Sequence, residues 1–459
     1  MLFRQCLRCR VVLSLHILGS ILIPSLDWGL VAAQESAYTF TLAQGISHAL
    51  SNSREFQIAQ KDVELANEKV KEARAALLPQ LMLDTGYTFN GDLPTIVLDG
   101  NFPLNLGGPP AEADTEPIEI EIGAIHNFQG RAQATYPLFT WGQLGNIYRQ
   151  AVLGNQAAEQ ALEAVQLDIE LKVRQAFNSF LLAQAFVDVV EQSLAQVERR
   201  YELAQEQKAA GVTTRLEVIR ANVQVVNTRS QVIQAQNQSK LAEENFKLIL
   251  GLPLDAPVSI DGSLHVELKS VKVDQTIATA LERRPEIQQI EIQEQMGEKQ
   301  VKVAKAGNKP MVSTFGNYTF NDSERQAFDT SWSVGMMVQF PIFDGFATRA
   351  RVNQARVSLE QIRTNKDQLV DGIRLEVKSA VFDLDAAQKL IEAQEGIVEE
   401  AAEGLRIANV QHEAGLITGV ELTDIELSHT QAQVNRLQAV HDYIIAVARL
   451  ERAVGARIE

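Results

Sequence analysis

The sequence predicts a mainly α protein built as a tandem repeat, with four strands made to cross a lipid bilayer in a membrane β-barrel. Three observations predict this class. All thirteen Pro lie outside two long stretches, Leu138 to Leu252 and Ile342 to Glu459, in which apolar residues keep heptad time. Four segments of about nine or ten residues alternate apolar and polar side chains, the length a tilted strand needs to cross a bilayer. The same order of features returns twice along the chain. Composition agrees, with 459 residues, 6% aromatics, modest Gly and Pro, and a net charge of −16. Such an acidic chain lacks the Lys and Arg surplus that phosphate binding requires, which argues against nucleic acid as a partner.

Residues 1–33 read as a secretory signal peptide. Arg4, Arg8 and Arg10 precede an apolar run from Val11 to Leu26, and Val31-Ala32-Ala33 offers small residues for cleavage. The run is short for a membrane anchor and is broken by His16 and Pro24. Cleavage after Ala33 removes Cys6 and Cys9, the only cysteines, and takes the net charge to −18. The mature chain then has no thiol for a disulfide or an N-terminal lipid anchor. No later stretch is apolar and long enough to span as a helix, so any crossing must be made by strands.

The remainder divides into a first unit at 34–252, a link at 253–273 and a second unit at 274–459. An offset of 231 carries Ala49-Leu50 onto Ala280-Leu281, Pro79 onto Pro310, and Tyr87-Thr88-Phe89 onto Tyr318-Thr319-Phe320. Further along the offset is 204, pairing Pro137 with Pro341, Gly211 with Gly415, Glu217 with Glu421, and Gly251 with Gly455. The 27 extra residues of the first copy fall between Asn90 and Asn127, a Pro-, Gly- and acid-rich stretch that reads as a long exposed loop. The link contains Pro253, Pro257 and Gly262 and is expected to be irregular or a short strand.

Helices are predicted at about 39–78, 141–210 and 215–250 in the first unit. In the second they fall at about 274–309, 345–414 and 419–455. In the first long helix Val173, Phe180, Val187, Leu194 and Tyr201 are seven apart, with Ala176, Ala183, Val190, Val197 and Ala204 three positions later. Val377, Leu384, Ile391, Val398 and Leu405 repeat the seam in the second. These are the a and d positions of coiled-coil packing, and the many Ala permit close helix approach.

Strands are predicted at about 80–90, 127–137, 311–320 and 331–341. Their apolar faces end in aromatics, with Tyr87, Phe128, Tyr136, Tyr318, Trp332 and Phe340 expected at the lipid interfaces. A soluble sheet packed on helices is the competing reading. Four spanning strands leave two edges unpaired in hydrocarbon, so the sheet must close with other copies. Two copies give eight strands and a filled interior; three give twelve and room for water, which favours a homotrimer.

No catalytic centre is expected. His48, His126, His265, His412, His429 and His441 are scattered and form no metal-ligand pair. No phosphate-binding Gly loop, nucleophile elbow or Cys cluster is present. Few Met and no His cluster argue weakly against a dedicated soft-metal site. Neither metal nor cofactor is predicted.

Gly211 and Gly415 follow the long helices, where Gly supports a left-handed C-terminal turn. Thr214 and Thr418 come next, with Glu217 and Glu421 three residues later. Thr-x-x-Glu is a capping box that opens the following helix.

The whole mature chain, about residues 35 to 455, resembles the TolC-like outer-membrane efflux family. The resemblance rests on the tandem unit and on Pro137-Leu138-Phe139 and Pro341-Ile342-Phe343-Asp344-Gly345 at the strand-to-helix junctions. Ala210-Gly211 and Ala414-Gly415 at the tips and Arg284-Pro285-Glu286-Ile287 in the second copy complete it. It implies a homotrimer with a twelve-stranded outer-membrane barrel and a twelve-helix periplasmic tunnel. It further implies a passive exit duct for efflux or type I secretion, docked to a periplasmic adaptor and an inner-membrane pump. In such proteins the tip turns, here Gly211-Val212-Thr213 and Gly415-Leu416-Ile417, meet the adaptor. The same resemblance makes Glu421 and Asp424 a periplasmic constriction ring that attracts cations. The first copy has Arg220 at the second of these positions. Where better-known members latch the closed end with Tyr and Arg, this chain has His412 and Ile417, which puts that latch in doubt. Two other readings are a non-conducting trimeric periplasmic spacer anchored in the outer membrane and a secreted enzyme on a helical scaffold. The lack of any polar constellation opposes the enzyme.

Overall fold

A computed structural model of the chain describes residues 38–98, 118–264, 266–323 and 326–458. The predicted signal segment, His265 and half of the predicted loop, residues 99–117, lie outside them. The first unit opens with a short strand, β1 (Tyr38–Phe40), followed by α1 (Leu42–Asn52) and α2 (Arg54–Ala75). Strand β2 (Gln80–Phe89) comes next, then a hairpin of β3 (Thr95–Leu98) and β4 (Ile118–Glu121), then β5 (His126–Phe139). Two helices complete the unit, α3 (Gln143–Ala209) and α4 (Arg215–Leu250). After β6 (Val258–Ile260) the second unit repeats the order as α5 (Val273–Arg283), α6 (Pro285–Ala306), β7 (Met311–Ser323), β8 (Gln326–Gln339), α7 (Ala347–Glu413) and α8 (Gly419–Val454).

Three sequence expectations differ in detail. The helices expected at 39–78 and 274–309 are each split in two. Ser53 and Arg284, 231 residues apart, both leave the helix at ψ 127°. Pro285 explains the second break, because its ring clashes with a helical residue before it. Pro285 then starts α6, where a missing N–H costs nothing. The stretch read as a loop at 90–127 contains the antiparallel pair β3–β4, which prolongs the β2–β5 hairpin through Asn90 N–H to Ile125 C=O at 2.8 Å. The inter-repeat link is not separate from the first unit. Its β6 pairs in parallel with β1, Thr39 opposite Ser259.

The long helices run without a break, despite Gly145 and Gly154. Each of α3 and α7 has 67 residues, or about 100 Å at ~1.5 Å per residue. Both start from two successive left-handed residues, Trp141-Gly142 and Gly345-Phe346. Glycine occupies the second place in one unit and the first in the other. An L-residue held at positive φ costs about 1–2 kcal/mol, so the junction geometry is imposed by its surroundings.

Helix α3 packs on α4 and α8 towards the tips, and on α2 and α6 towards the sheet. Helix α7 packs on α8, α6 and α5. Each level is therefore a layer of helices whose outer members are α2 or α4 on one side and α7 on the other. The predicted seams are the buried ones, with Val173, Phe180, Val377 and Leu384 almost fully enclosed. Phe40, Phe177, Phe180 and Phe246 centre the first unit's core, and Tyr443, Leu450 and Val377 the second's. Ion pairs join the two units, Arg174 to Glu451 and Arg452 to Asp168, and Arg452 also pairs with Glu286 inside the second unit.

The sheet has the order β2-β5-β7-β8, antiparallel throughout. Its register aligns every apolar row. Leu83 is opposite Ala132, Ala132 opposite Tyr318, and Tyr318 opposite Trp332. The other face carries Met82, Gln133, Asn317 and Ser333 in line. Edges β2 and β8 have no partner strand among the described residues.

Candidate functional site at the helical tips

The sequence forms the two tips alike and finishes them differently. Gly211 (φ 76°) and Gly415 (φ 72°) take the left-handed conformation that ends α3 and α7. The N–H of Val212 returns to Gln207 C=O, and that of Leu416 to Gln411 C=O, both at 2.8 Å. Val212 and Leu416 project outward, 76% and 75% exposed. Ile417 instead turns inward against Leu405, Ala408 and Leu422, and Thr213 is half-buried.

At the second tip the capping box is complete. The N–H of Thr418 donates to Glu421 Oε2 at 2.7 Å, and Thr418 Oγ1 accepts from the N–H of Glu421 at 3.3 Å. Hydrogen bonds from the Thr418 backbone and hydroxyl hold the Glu421 carboxyl below its usual range. At the first tip Thr214 Oγ1 accepts from the N–H of Glu217 at 3.3 Å, but the box does not close. The Glu217 carboxylate turns to Arg220, 2.8 Å away. The predicted capping role of Glu217 is thus only half met, because a cation one turn on competes for its side chain. Asp424 stands at the matching place in the second tip and leaves Glu421 free to cap.

The two tips meet across a cavity of about 440 Å³. Glu217 and Arg220 enter it from α4, and His412, Thr423 and Asp424 from the second tip. A Cβ added to Gly419 would meet Glu217 Oε2 at 3.3 Å and His412 Cε1 at 3.9 Å. His412 Nδ1 lies 3.3 Å from Ile417 C=O, so the ring braces its own turn. The Asp424 carboxylate has no hydrogen-bond or ion-pair partner among the described residues. No cluster among them has the acids and histidines to hold a metal ion.

The sequence reading missed Arg200. From α3 it pairs with Glu426 of α8 and donates to Thr423 Oγ1 at 2.6 Å. Both charged side chains are largely buried, at 15% and 13% exposure. Burial lowers the guanidinium pKa, yet an arginine stays cationic in protein surroundings. A signal was available: Arg200 sits between Val197 and Ala204 on the apolar stripe, and a charge there needs a buried partner.

The predicted interface aromatics Tyr87, Phe128, Tyr136, Tyr318, Trp332 and Phe340 are all exposed. Those within the strands lie on the apolar face, and Phe340 follows the end of β8. No helix among the described residues is long and apolar enough to cross a membrane.

A family model described as "Outer membrane efflux protein" matches residues 45–252 and 276–456. The chain is 23% identical to a probable outer membrane lipoprotein SilC of Salmonella typhimurium, covering 89% of this chain and 84% of that one. It is 22% identical to the outer membrane protein TolC of Vibrio cholerae, covering 87% of each. A crystal structure of CusC, from work on folding and transmembrane channel formation, superposes with a TM-score of 0.74. It is 20% identical, over 90% of this chain and 92% of that one.

Proposed function

This chain belongs to the outer membrane efflux protein family, and from that premise we propose that three copies close one twelve-stranded barrel above a continuous helical tunnel. The protein is an outer-membrane channel, the exit duct of a tripartite efflux or type I secretion system. One observation carries the mechanism: the sheet has one apolar face, one polar face and two open edges. In lipid such edges must pair, and β8 of one copy beside β2 of the next pairs both. The apolar face then meets lipid, and the polar face lines water.

The helical layer supports the same closure. Leu216, Ile219, Val223, Val226 and Ile233 of α4 are exposed at heptad-like spacing, as are Leu375, Phe382, Leu390 and Ile397 of α7. These rows occupy opposite sides of the layer, so one side of each copy can cover the other side of its neighbour. Three such contacts make a ring with no open face.

At the narrow end Glu421 and Asp424 supply a ring of carboxylates. Glu421 is ionised at neutral pH, as an ordinary carboxylate is, and its hydrogen bonds to Thr418 favour that form further. Three copies concentrate cations and repel anions. The exposed turns at Val212 and Leu416 suit a periplasmic adaptor, which links the duct to an inner-membrane pump. A secretory signal at 1–33 would route the chain to this site.

The test is single-channel recording in planar bilayers. Native protein is expected to conduct and to prefer cations; Glu421→Gln with Asp424→Asn is expected to lose most of that preference. Selectivity unchanged by the double variant removes the ring. A mass measurement that finds no trimer removes the closure, and trimers that pass no ions mark a spacer instead of a duct.

A further inference from the structure

Methionine is scarce in this chain, and the fold gathers it. Besides Met1 there are Met82, Met296, Met311, Met336 and Met337. Four of these lie in the four-stranded sheet. Met336 is on the apolar face, opposite Thr314. The other three stand on the polar face, with Met82 opposite Gln133, Met337 opposite Ser313, and Met311 opposite Gln339. They are 60%, 53% and 38% exposed respectively. Apart from them this face is mostly Gln, Asn, Ser and Thr. Phe315, over Gly335, is the one large apolar neighbour on this stretch of the face, and a wall facing water returns little burial energy for three thioethers.

Their spacing matters. Met311 and Met337 are diagonal neighbours on adjacent strands, both at the helix end of the sheet. Diagonal pairs are about 7–8 Å apart at the backbone, within reach of long side chains. Met82 lies on edge strand β2, and Met337 on the opposite edge strand β8. The next step rests on the trimer proposed above, in which β8 meets β2 of the next copy. The registers that keep all ten residues of β2 paired run from Gln80 opposite Gly335 to Gln80 opposite Gln339. At the second limit Met82 faces Met337 directly; at the first they are four residues apart along the strands.

We propose that Met311 and Met337, with Met82 of the neighbouring copy, form a thioether collar on the inner wall of the barrel that binds soft monovalent cations, Ag(I) or Cu(I), in transit. Thioether sulfur selects soft ions over K⁺, Na⁺ or Mg²⁺. The ligands are neutral and solvent-accessible, which suits a site that an ion must also leave. The nearest charges on this face, Asp84 and Arg131, sit opposite each other and largely cancel. Counting methionines in the sequence points away from a soft-metal site; their placement in the sheet points towards one.

The test uses full-length protein carrying Cys6→Ser and Cys9→Ser, so that no thiol competes, in chloride-free KNO₃. Silver nitrate is titrated against detergent-solubilised protein and, separately, added to open channels in a bilayer. Native side chains are expected to bind Ag⁺ and to lower the single-channel conductance as they do so. Met311→Leu with Met337→Leu is expected to weaken both effects at least about tenfold while leaving the K⁺ conductance intact, since Leu conserves volume. Met336→Leu, on the other face, is expected to change neither. Equal Ag⁺ binding by the native and double-variant proteins, or none by either, overturns the collar. Channels that pass K⁺ but ignore Ag⁺ defeat the collar and spare the duct. Specific Ag⁺ binding by protein that passes no ions does the reverse.

Discussion

Single residues decide how two equivalent tips come to differ. Glu217 and Glu421 occupy the same place in the two repeats, and a single neighbour separates their roles. Arg220 draws Glu217 away from its cap, whereas Asp424 leaves Glu421 on Thr418. Replacing Thr418 with Ala removes the partner of the Glu421 N–H and is expected to destabilise this helix start by about 1 kcal/mol, seen as faster hydrogen exchange at Glu421. A different residue sets the acid limit of the fold. Burial would raise the Glu286 pKa, but hydrogen bonds from Arg284 and Arg452 overcome it and pull the carboxyl from 4.5 to about 2. The folded value lies below the unfolded one. Its contribution is therefore complete above about pH 4.5 and is lost as the pH falls towards 2. The shift corresponds to on the order of 3 kcal/mol. Urea unfolding between pH 2 and 7 is expected to show this loss, and Glu286→Gln to be less stable at pH 7 with a flatter acid limb. An unaltered limb would mean that Glu286 does not set it.

Elements obey rules that span both repeats. The break at Ser53 has no proline to cause it, yet it matches the break at Arg284-Pro285 in position and backbone angle. The shared cause is the core at that level, where α1 and α5 turn to cover α3 and α7. In the sheet, aromatic rings cover glycines on neighbouring strands. Phe320 lies over Gly130 on the apolar face, and Phe315 over Gly335 on the polar face. No Cβ fits at Gly130 unless Phe320 moves. Gly130→Val is expected to lower the melting temperature of the protein, consistent with about 1–3 kcal/mol of overpacking. Adding Phe320→Ala is expected to recover part of it. If Gly130→Val melts like the native protein, the ring is not held over that glycine.

At the scale of the whole molecule, the exposed rows on α4 and α7 should determine association. Phe382 is 64% exposed and Leu390 52% in one copy. Phe382→Glu with Leu390→Glu places charge where a neighbour's apolar row would pack, and burying unpaired charge is costly. If three copies associate as proposed, the detergent-extracted double variant is expected to shift from trimer towards monomer by light scattering, with its helical circular dichroism retained. A variant that stays trimeric would exclude α7 from the interface.

The sequence alone determined the repeat, the long helices and the strand faces, because each is written in local periodicity. Heptads placed Val173 and Val377 in the core, and period-two alternation placed Tyr318 and Trp332 on one face. Gly211 and Gly415 marked the tips, because positive φ is cheap only for glycine. Only the tertiary structure decided what depends on partners far apart in the chain. It paired Arg200 with Glu426, tied Arg452 to Asp168, joined β6 to β1 and brought Met311 beside Met337. Periodicity reports which face a residue is on; it carries no record of which residue waits on the other side.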